Sequence, residues 1–352
     1  MNIKTVEQKR DSNFELLRII AMLMIIAYHY VSHGQAELLN NGTKFQITFL
    51  EAYSMFGKIE VNLFVLISGY FCINKEFNFQ KILKLEAKCL FFSLGFLLLY
   101  GAFGEAPLTV GEIYRAAFPV IRNYYWFMTA YIILYLLSPW YNKLLTSLTK
   151  KEYQNLLVMF IIIWSIIPCL SMHIIDGMNF NQQIWMFVTY SFGGYIKRFD
   201  LQIKKEKALL ALFVLTLPIS VIAAELIGTK IVIFHKYATY FRMSNTIIAF
   251  PASLLIFNAA REIKIGTSRV INFISSAAFS VYLVHENTYF SKFLWKVTCR
   301  NWNGVTLVLH SILIVVLVYC IGMIFHCVFL IVQEIISKML EIFHLKDILL
   351  RK

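Results

Sequence analysis

The chain has 352 residues, of which 59% are hydrophobic and 15% charged, and it carries a formal charge of +13. Soluble domains hold about 45–50% and about 25% of these classes, so this balance excludes a disordered, collagen-like or disulfide-stapled secreted chain and points to a polytopic membrane protein. The six cysteines, Cys72, Cys89, Cys169, Cys299, Cys320 and Cys327, are scattered without a CxxC pair or metal-like spacing and read as inert core residues.

Apolar stretches long enough to cross a bilayer core of about 30 Å recur along the whole chain. They predict an all-α membrane bundle of ten helices over residues 13–33, 52–73, 86–104, 124–145, 154–172, 182–197, 207–228, 243–260, 270–290 and 305–333. The sixth is short and the fourth contains Pro139. Loop charge gives the orientation, because Lys and Arg accumulate on the cytoplasmic side. One face collects the residues up to Arg18, Lys75 to Lys88, Lys143 to Lys151, Lys197 to Lys207, Arg261 to Arg269 and Lys338 onward, which together hold 23 of the 33 Lys and Arg. That asymmetry predicts cytoplasmic termini and an even span count. It also accounts for the positive charge by loops facing anionic lipid, so no nucleic-acid partner is expected. The first helix is too long for a signal-peptide core and carries Arg18 and His29, so it is expected to stay in the mature protein. The sequence predicts a single transmembrane domain over residues 1–352, with a core of about 13–333 and no soluble domain, so any chemistry must sit in the bundle.

Ionisable residues inside spans are costly and therefore informative. The first helix opens with Ser12-Asn13-Phe14-Glu15, a capping-box spacing. Arg18 follows one turn later, and His29 lies eleven residues beyond it, about 20° from the same face and about 16 Å along the axis. A neutral imidazole near mid-membrane can take a proton from a hydroxyl and return it to a leaving group. A histidine hydrogen-bonded to a neighbouring helix fits the same spacing. Lys81, Lys84 and Lys88 form a basic stripe at i, i+3 and i+7, suited either to phosphates or to positive-inside topology. Tyr124-Tyr125-Trp126-Phe127 fits an interfacial aromatic belt or a sugar-stacking platform. Lys58 and Glu60 pair or line a cavity, His285-Glu286-Asn287 holds more polar groups than packing needs, and His326 is expected to be structural. No metal site is expected.

In order and spacing these segments resemble the acyltransferase-3 family of membrane enzymes that O-acylate surface carbohydrates. The pieces are Glu15-Leu16-Leu17-Arg18-Ile19-Ile20-Ala21 followed by His29, Val61-Asn62-Leu63-Phe64-Val65-Leu66-Ile67-Ser68-Gly69-Tyr70-Phe71, Trp126 to Tyr131 with Ser138-Pro139, Gly193-Gly194-Tyr195-Ile196, and Ser280 to Asn287. The resemblance implies a stand-alone enzyme of the cell membrane that takes an acyl group, acetyl in the first place, from cytoplasmic acyl-CoA to a hydroxyl of a carbohydrate acceptor, with no tightly bound cofactor. His29 matches the family's essential histidine and Arg18 its partner. Lys81 and Lys84 stand where many members carry two arginines, and Asn62 where an acidic residue is common. Tyr125, Trp126, His285 and Glu286 fall to the acceptor side. A lipid-linked glycan transporter and a non-catalytic membrane subunit are the rival classes; the acceptor, acetyl against succinyl, and the oligomeric state are left open.

Overall fold

The computed structural model describes residues 11–106, 108–171 and 181–342. The basic residues before Asp11, position 172 at the end of the fifth expected span, and the basic tail beyond 342 lie outside the described residues. Within them the protein is an all-α bundle without strands. In chain order the helices are α1 Ser12–His29, α2 Ala36–Asn41, α3 Lys44–Tyr53, α4 Ile59–Cys72, α5 Phe79–Ala102, α6 Val110–Ala117, α7 Trp126–Ser147, α8 Lys150–Ile161 and α9 Ile167–Ser171. They continue as α10 Gln182–Phe199, α11 Glu206–Gly228, α12 Val232–Lys236, α13 Ala249–Glu262, α14 Arg269–Ser276, α15 Ala278–His285, α16 Phe290–Thr298 and α17 Gly304–Ile342.

Each of the ten expected stretches is largely helical, with differences at their ends and breaks: the stretch over 52–73 is interrupted between Tyr53 and Ile59, and α5 starts at Phe79 rather than 86. Helix α13 starts at Ala249 rather than 243, and the stretch expected over 270–290 breaks at Ala277 and ends at His285. Among the described residues five runs are long and apolar enough to cross a membrane by themselves: Ser12–Gly34, Lys44–Cys72, Lys150–Leu170, Glu206–Gly228 and Gly304–Met339. The helices over the other five expected stretches are shorter, broken or richer in polar and aromatic residues.

Local signals set many helix starts. Thr43 with Gln46, and Thr149 with Glu152, form reciprocal capping boxes at α3 and α8, while Asn181 caps α10. The box expected at Ser12 and Glu15 does not form. Asp11 is the N-cap residue, and it makes no side-chain cap. Ser12 Oγ instead accepts from the Ser268 N–H at 2.7 Å and donates to Asn272 Oδ1 at 2.8 Å, while Glu15 pairs with Arg18 and accepts from Ser275 Oγ. Both polar side chains are spent on the start and body of α14 and on their own helix, where the partners are buried or half-buried and their bonds worth more than a solvated cap.

Helix α1 runs between two cores. Its Phe14, Leu17 and Ala21 pack with α4, α10, α11 and α13, whereas Met22, Ile25 and Ile26 pack with α5, α15 and α17. The tightest approach in the bundle is between α4 and α10. A Cβ on Gly69 would fall 2.1 Å from the Tyr190 carbonyl oxygen, and one on Gly193 would fall 2.3 Å from that of Leu66. Beside this crossing, fully buried Asn62 donates to the Ser244 carbonyl at 2.8 Å and to Ser253 Oγ at 2.9 Å, and accepts from Trp185 Nε1 at 2.9 Å. With both amide hydrogens and the carbonyl partnered, a neutral asparagine satisfies a site that an ionised carboxylate would leave with acceptors facing acceptors.

Gly69→Val and Gly193→Val therefore force α4 and α10 apart and should each destabilise the protein by about 1–3 kcal/mol or more. Gly95→Ala, whose added methyl meets nothing within 4 Å, should stay within about 0.5 kcal/mol. Thermal unfolding of detergent-purified protein checks this, and equal melting temperatures for all three would contradict it.

Candidate active site

Helix α1 ends at His29 and passes into a π-helical turn, Tyr30–Gly34. Such turns widen the backbone by one residue and recur at functional sites. The turn is held by Tyr30, whose hydroxyl accepts from Gln35 Nε2 at 2.8 Å and lies 2.9 Å from His310 Nδ1. It also fits Gly34 under the Trp295 ring, where a Cβ would come within 3.3 Å. His29 and His33, four residues apart, face one another at 5.3 Å between ring centroids.

The break that ends α15 at His285 brings a second imidazole to the first. Helix α17 comes close enough to hold it because Gly322 lies against Val281, with a Cβ there only 2.7 Å from the Val281 Cα. His285 Nε2 is 3.0 Å from His29 Nδ1, and Glu286 Oε1 is also 3.0 Å from that nitrogen. His285 is fully buried, and its Nδ1 lies 2.5 Å from the Val281 carbonyl oxygen.

Proton accounting orders this triad. A carbonyl only accepts, so His285 Nδ1 carries hydrogen and donates to Val281. In neutral His285 the Nε2 is then an acceptor. His29 Nδ1 faces that acceptor and a carboxylate oxygen, so it carries the His29 proton and donates to both. The lone pair of the His29 ring is left on Nε2. An imidazole oriented through one nitrogen by acceptors, with the other free to take a proton or bond to carbon, is the arrangement of general-base and nucleophilic histidines. His29 Nδ1, His285 Nε2 and a Glu286 oxygen also lie within 4.8 Å of one another, a two-histidine, one-carboxylate set that would offer itself to a metal only with the His29 proton moved to Nε2. Val281 would serve as the outer-shell acceptor for such a set.

Arg18 is not in this cluster. It pairs with Glu15 and lines a separate cavity of about 1470 Å³. That cavity also receives Lys75, Lys81, Lys197 and Arg269, against the acidic Asp11, Glu15 and Glu76. The cations rest on aromatic walls: Lys81 Nζ lies 4.4 Å from the Tyr135 ring centroid and 3.4 Å from Tyr131 Oη, and Lys197 Nζ lies 4.7 Å from the Tyr70 centroid.

The expected basic stripe divides three ways. Lys81 enters the cavity, Lys84 stays exposed on the outside of α5, and Lys88 is buried 3.4 Å from His326 Nδ1. His326 is further held by Ser280 at 3.0 Å and Ser276 at 3.2 Å. Tyr125 is 2% exposed, accepts from Asn287 Nδ2 at 3.2 Å, and stands 6.0 Å from the Tyr282 ring. Half-buried Trp126 packs edge-on against Phe127. Of the residues singled out from the sequence, the structure brings together His29, His285 and Glu286, and places Arg18 and Lys81 in the lining of one cavity. His33 and Arg269 were not singled out, and Lys197 entered as a topology charge and, within the Lys197 to Lys207 loop, as a fallback donor site; the His29-x-x-x-His33 spacing was the available signal for the first.

An all-α membrane bundle with a histidine pair, one buried and one half-buried, and a basic cavity defines the class. A family model described as an acyltransferase domain matches residues 11–329, and the chain belongs to the acyltransferase-3 family. It is a membrane acyltransferase. No curated protein and no solved structure matches the chain.

Glu286→Gln offers an amide that can donate to His29 Nδ1 and so favours the opposite tautomer, with the proton on Nε2. Acyl transfer should fall by about tenfold or more, because one of the two acceptors that orient the proposed base His29 is lost. Initial rates at saturating donor check this; a loss under about threefold would show that Glu286 does not set the tautomer.

Proposed function

We propose that the protein transfers an acyl group, acetyl in the first place, from cytoplasmic acyl-CoA to a hydroxyl of a cell-surface polysaccharide or its precursor. The observation that carries this is His29, its Nδ1 engaged by two acceptors and its Nε2 lone pair left for reaction. The phosphates of CoA would be held by Arg18, Lys81, Lys197 and Arg269 in the basic cavity, with the thin pantetheine arm reaching into the bundle. His29 Nε2 takes the hydroxyl proton as the oxygen attacks the thioester carbonyl. The C–S bond breaks, and the proton returns to the departing CoA thiolate. An acyl-imidazole on the same nitrogen reaches the same products in two steps. CoA is a substrate in this scheme, not a resident cofactor.

The reading places the protein in the cell membrane as a single domain, core about 13–333, with ten crossings and both termini cytoplasmic. The 23-to-10 division of Lys and Arg supports it. Cysteine labelling in a cysteine-free background should find positions near Lys151 and Lys204 protected from an impermeant external reagent, and positions near Asn41 and Asn303 accessible. The reverse pattern would exchange the donor and acceptor faces.

Release of free CoA thiol by purified protein in vesicles, with acetyl-CoA and a methyl glycoside, tests the activity. His29→Ala should insert normally and lose about 10²- to 10⁴-fold in rate. Lys81→Gln should raise the KM for acyl-CoA more than it lowers kcat, because donor contacts with distant phosphates are alike in ground and transition states. Near-parental turnover by the His29 variant sinks the mechanism, and an unchanged KM moves the donor phosphates elsewhere.

A further inference from the structure

Tyr28 immediately precedes His29, and the two rings lie 5.3 Å apart. Two cations converge on this tyrosine: Lys58 Nζ is 4.6 Å from its ring centroid and Arg242 Cζ is 5.2 Å. Short 3-10 turns deliver both. The turn Ser54–Phe56 precedes Lys58, and the turn Tyr240–Arg242 ends at the arginine, whose Nη1 donates to Ser54 Oγ at 3.1 Å. Gly57 fixes the ring between them, because a Cβ there would fall 2.0 to 2.8 Å from three Tyr28 side-chain atoms, so backbone lies flat against the side chain. Tyr28, Lys58 and Arg242 are all half-buried.

Like charges on one ring repel, and among the described residues neither has a carboxylate within 4 Å. Glu286, within electrostatic reach of Lys58, is held by His29. Glu60 is buried within reach of Lys58, and Glu51 lies within reach of Arg242, each with a carboxylate oxygen that finds no hydrogen-bond partner. His29 and His33 also face Lys58. The carboxylates soften the cost of burying two cations at longer range, yet they leave the N–H groups free. Lys58 has no hydrogen-bond acceptor among the described residues, and Arg242 gives only one of its donors to Ser54.

We infer that Lys58 and Arg242, fixed on Tyr28 beside His29, form an oxyanion-binding subsite for a carboxylate or phosphate carried by one of the two substrates. An arginine fork and a lysine point charge are complementary to such a group. The adjacent imidazole makes the ligand a reacting substrate rather than a remote effector. The oxyanion belongs to the acceptor, as an acidic sugar or phosphorylated glycan, or to the donor, as the distal carboxylate of a dicarboxylic acyl group. This inference rests on the acyl-transfer reading above.

Purified protein in lipid nanodiscs tests it in two arms. The acceptor arm compares methyl glucuronide with methyl glucoside, with acetyl-CoA as donor. The donor arm compares succinyl-CoA with acetyl-CoA, with methyl glucoside as acceptor. In one arm the charged member should be favoured in kcat/KM by about tenfold or more, as a charge-assisted pair supplies. The double substitution Lys58→Gln, Arg242→Gln should bring that ratio to within about twofold of unity, while Lys58→Arg keeps it. Equal use of charged and neutral members in both arms, or a ratio that survives the double substitution, overturns the subsite. Absence of CoA release with every combination contradicts the acyl-transfer reading instead. The subsite then stands or falls on thermal shifts with the same four compounds, where the parent should respond to one charged member at about tenfold lower concentration than to its neutral counterpart. A double variant that does not fold is replaced by the two single variants, each of which must lower the ratio.

Discussion

The hydrogen bond from His285 Nδ1 to the Val281 carbonyl is the constraint on which the candidate site depends. It fixes which nitrogen of His285 accepts and so, together with Glu286, which nitrogen of His29 carries hydrogen. The bond spans one helical turn and exists only because α15 is regular as far as His285 and stops there. That short helix is pinned in turn by the close approach of α17 at Gly322. Backbone geometry thus reaches the His29 ring through two imidazoles, and Glu286 adds charge at its Nδ1 without being the sole source of its orientation.

The proposed function would separate charge recognition from chemistry. Arg18 and His29 share a helix, but eleven residues of α1 set them about 16 Å apart along the axis. Five cations of the large cavity stand at the Arg18 end, and the imidazole pair at the other. Under the proposed function, a highly charged nucleotide would be bound where water and loop lysines keep its cost low, while a thin neutral arm alone would enter the apolar interior. Helix α1 serves both ends because it lies between the two largest cores, and the α4–α10 crossing at Gly69 and Gly193 closes one of them.

Much of this was legible in the sequence, and for physical reasons. Apolar run length located the helices, since bilayer thickness imposes it, and His29 stood out because a buried imidazole is costly unless used or paired. The polar run His285-Glu286-Asn287 was visible for the same reason. What periodicity could not supply was partnership. Nothing local in Ser12-Asn13-Phe14-Glu15 shows that both ends of the capping-box pattern turn to α14, some 260 residues away. The stripe Lys81, Lys84 and Lys88 looked like one surface, yet it meets a cavity, the outside and a histidine, because helix spacing says which residues share a face and not what that face meets. The break after Ser276 was hidden in a stretch that stays apolar enough to read as one span, with only Ser275-Ser276 and neither glycine nor proline to mark it.

The most direct test concerns the proton on His29. Solid-state ¹⁵N spectra of histidine-labelled protein in bilayers, with His29→Gln as the assignment control, report which ring nitrogen is protonated. The account predicts that the resonances lost on substitution are a protonated Nδ1 and an unprotonated Nε2, and that Glu286→Gln perturbs that pattern. A parent protein with His29 protonated at Nε2 and bare at Nδ1 would contradict it, since the nitrogen assigned to the chemistry would then have no lone pair to offer.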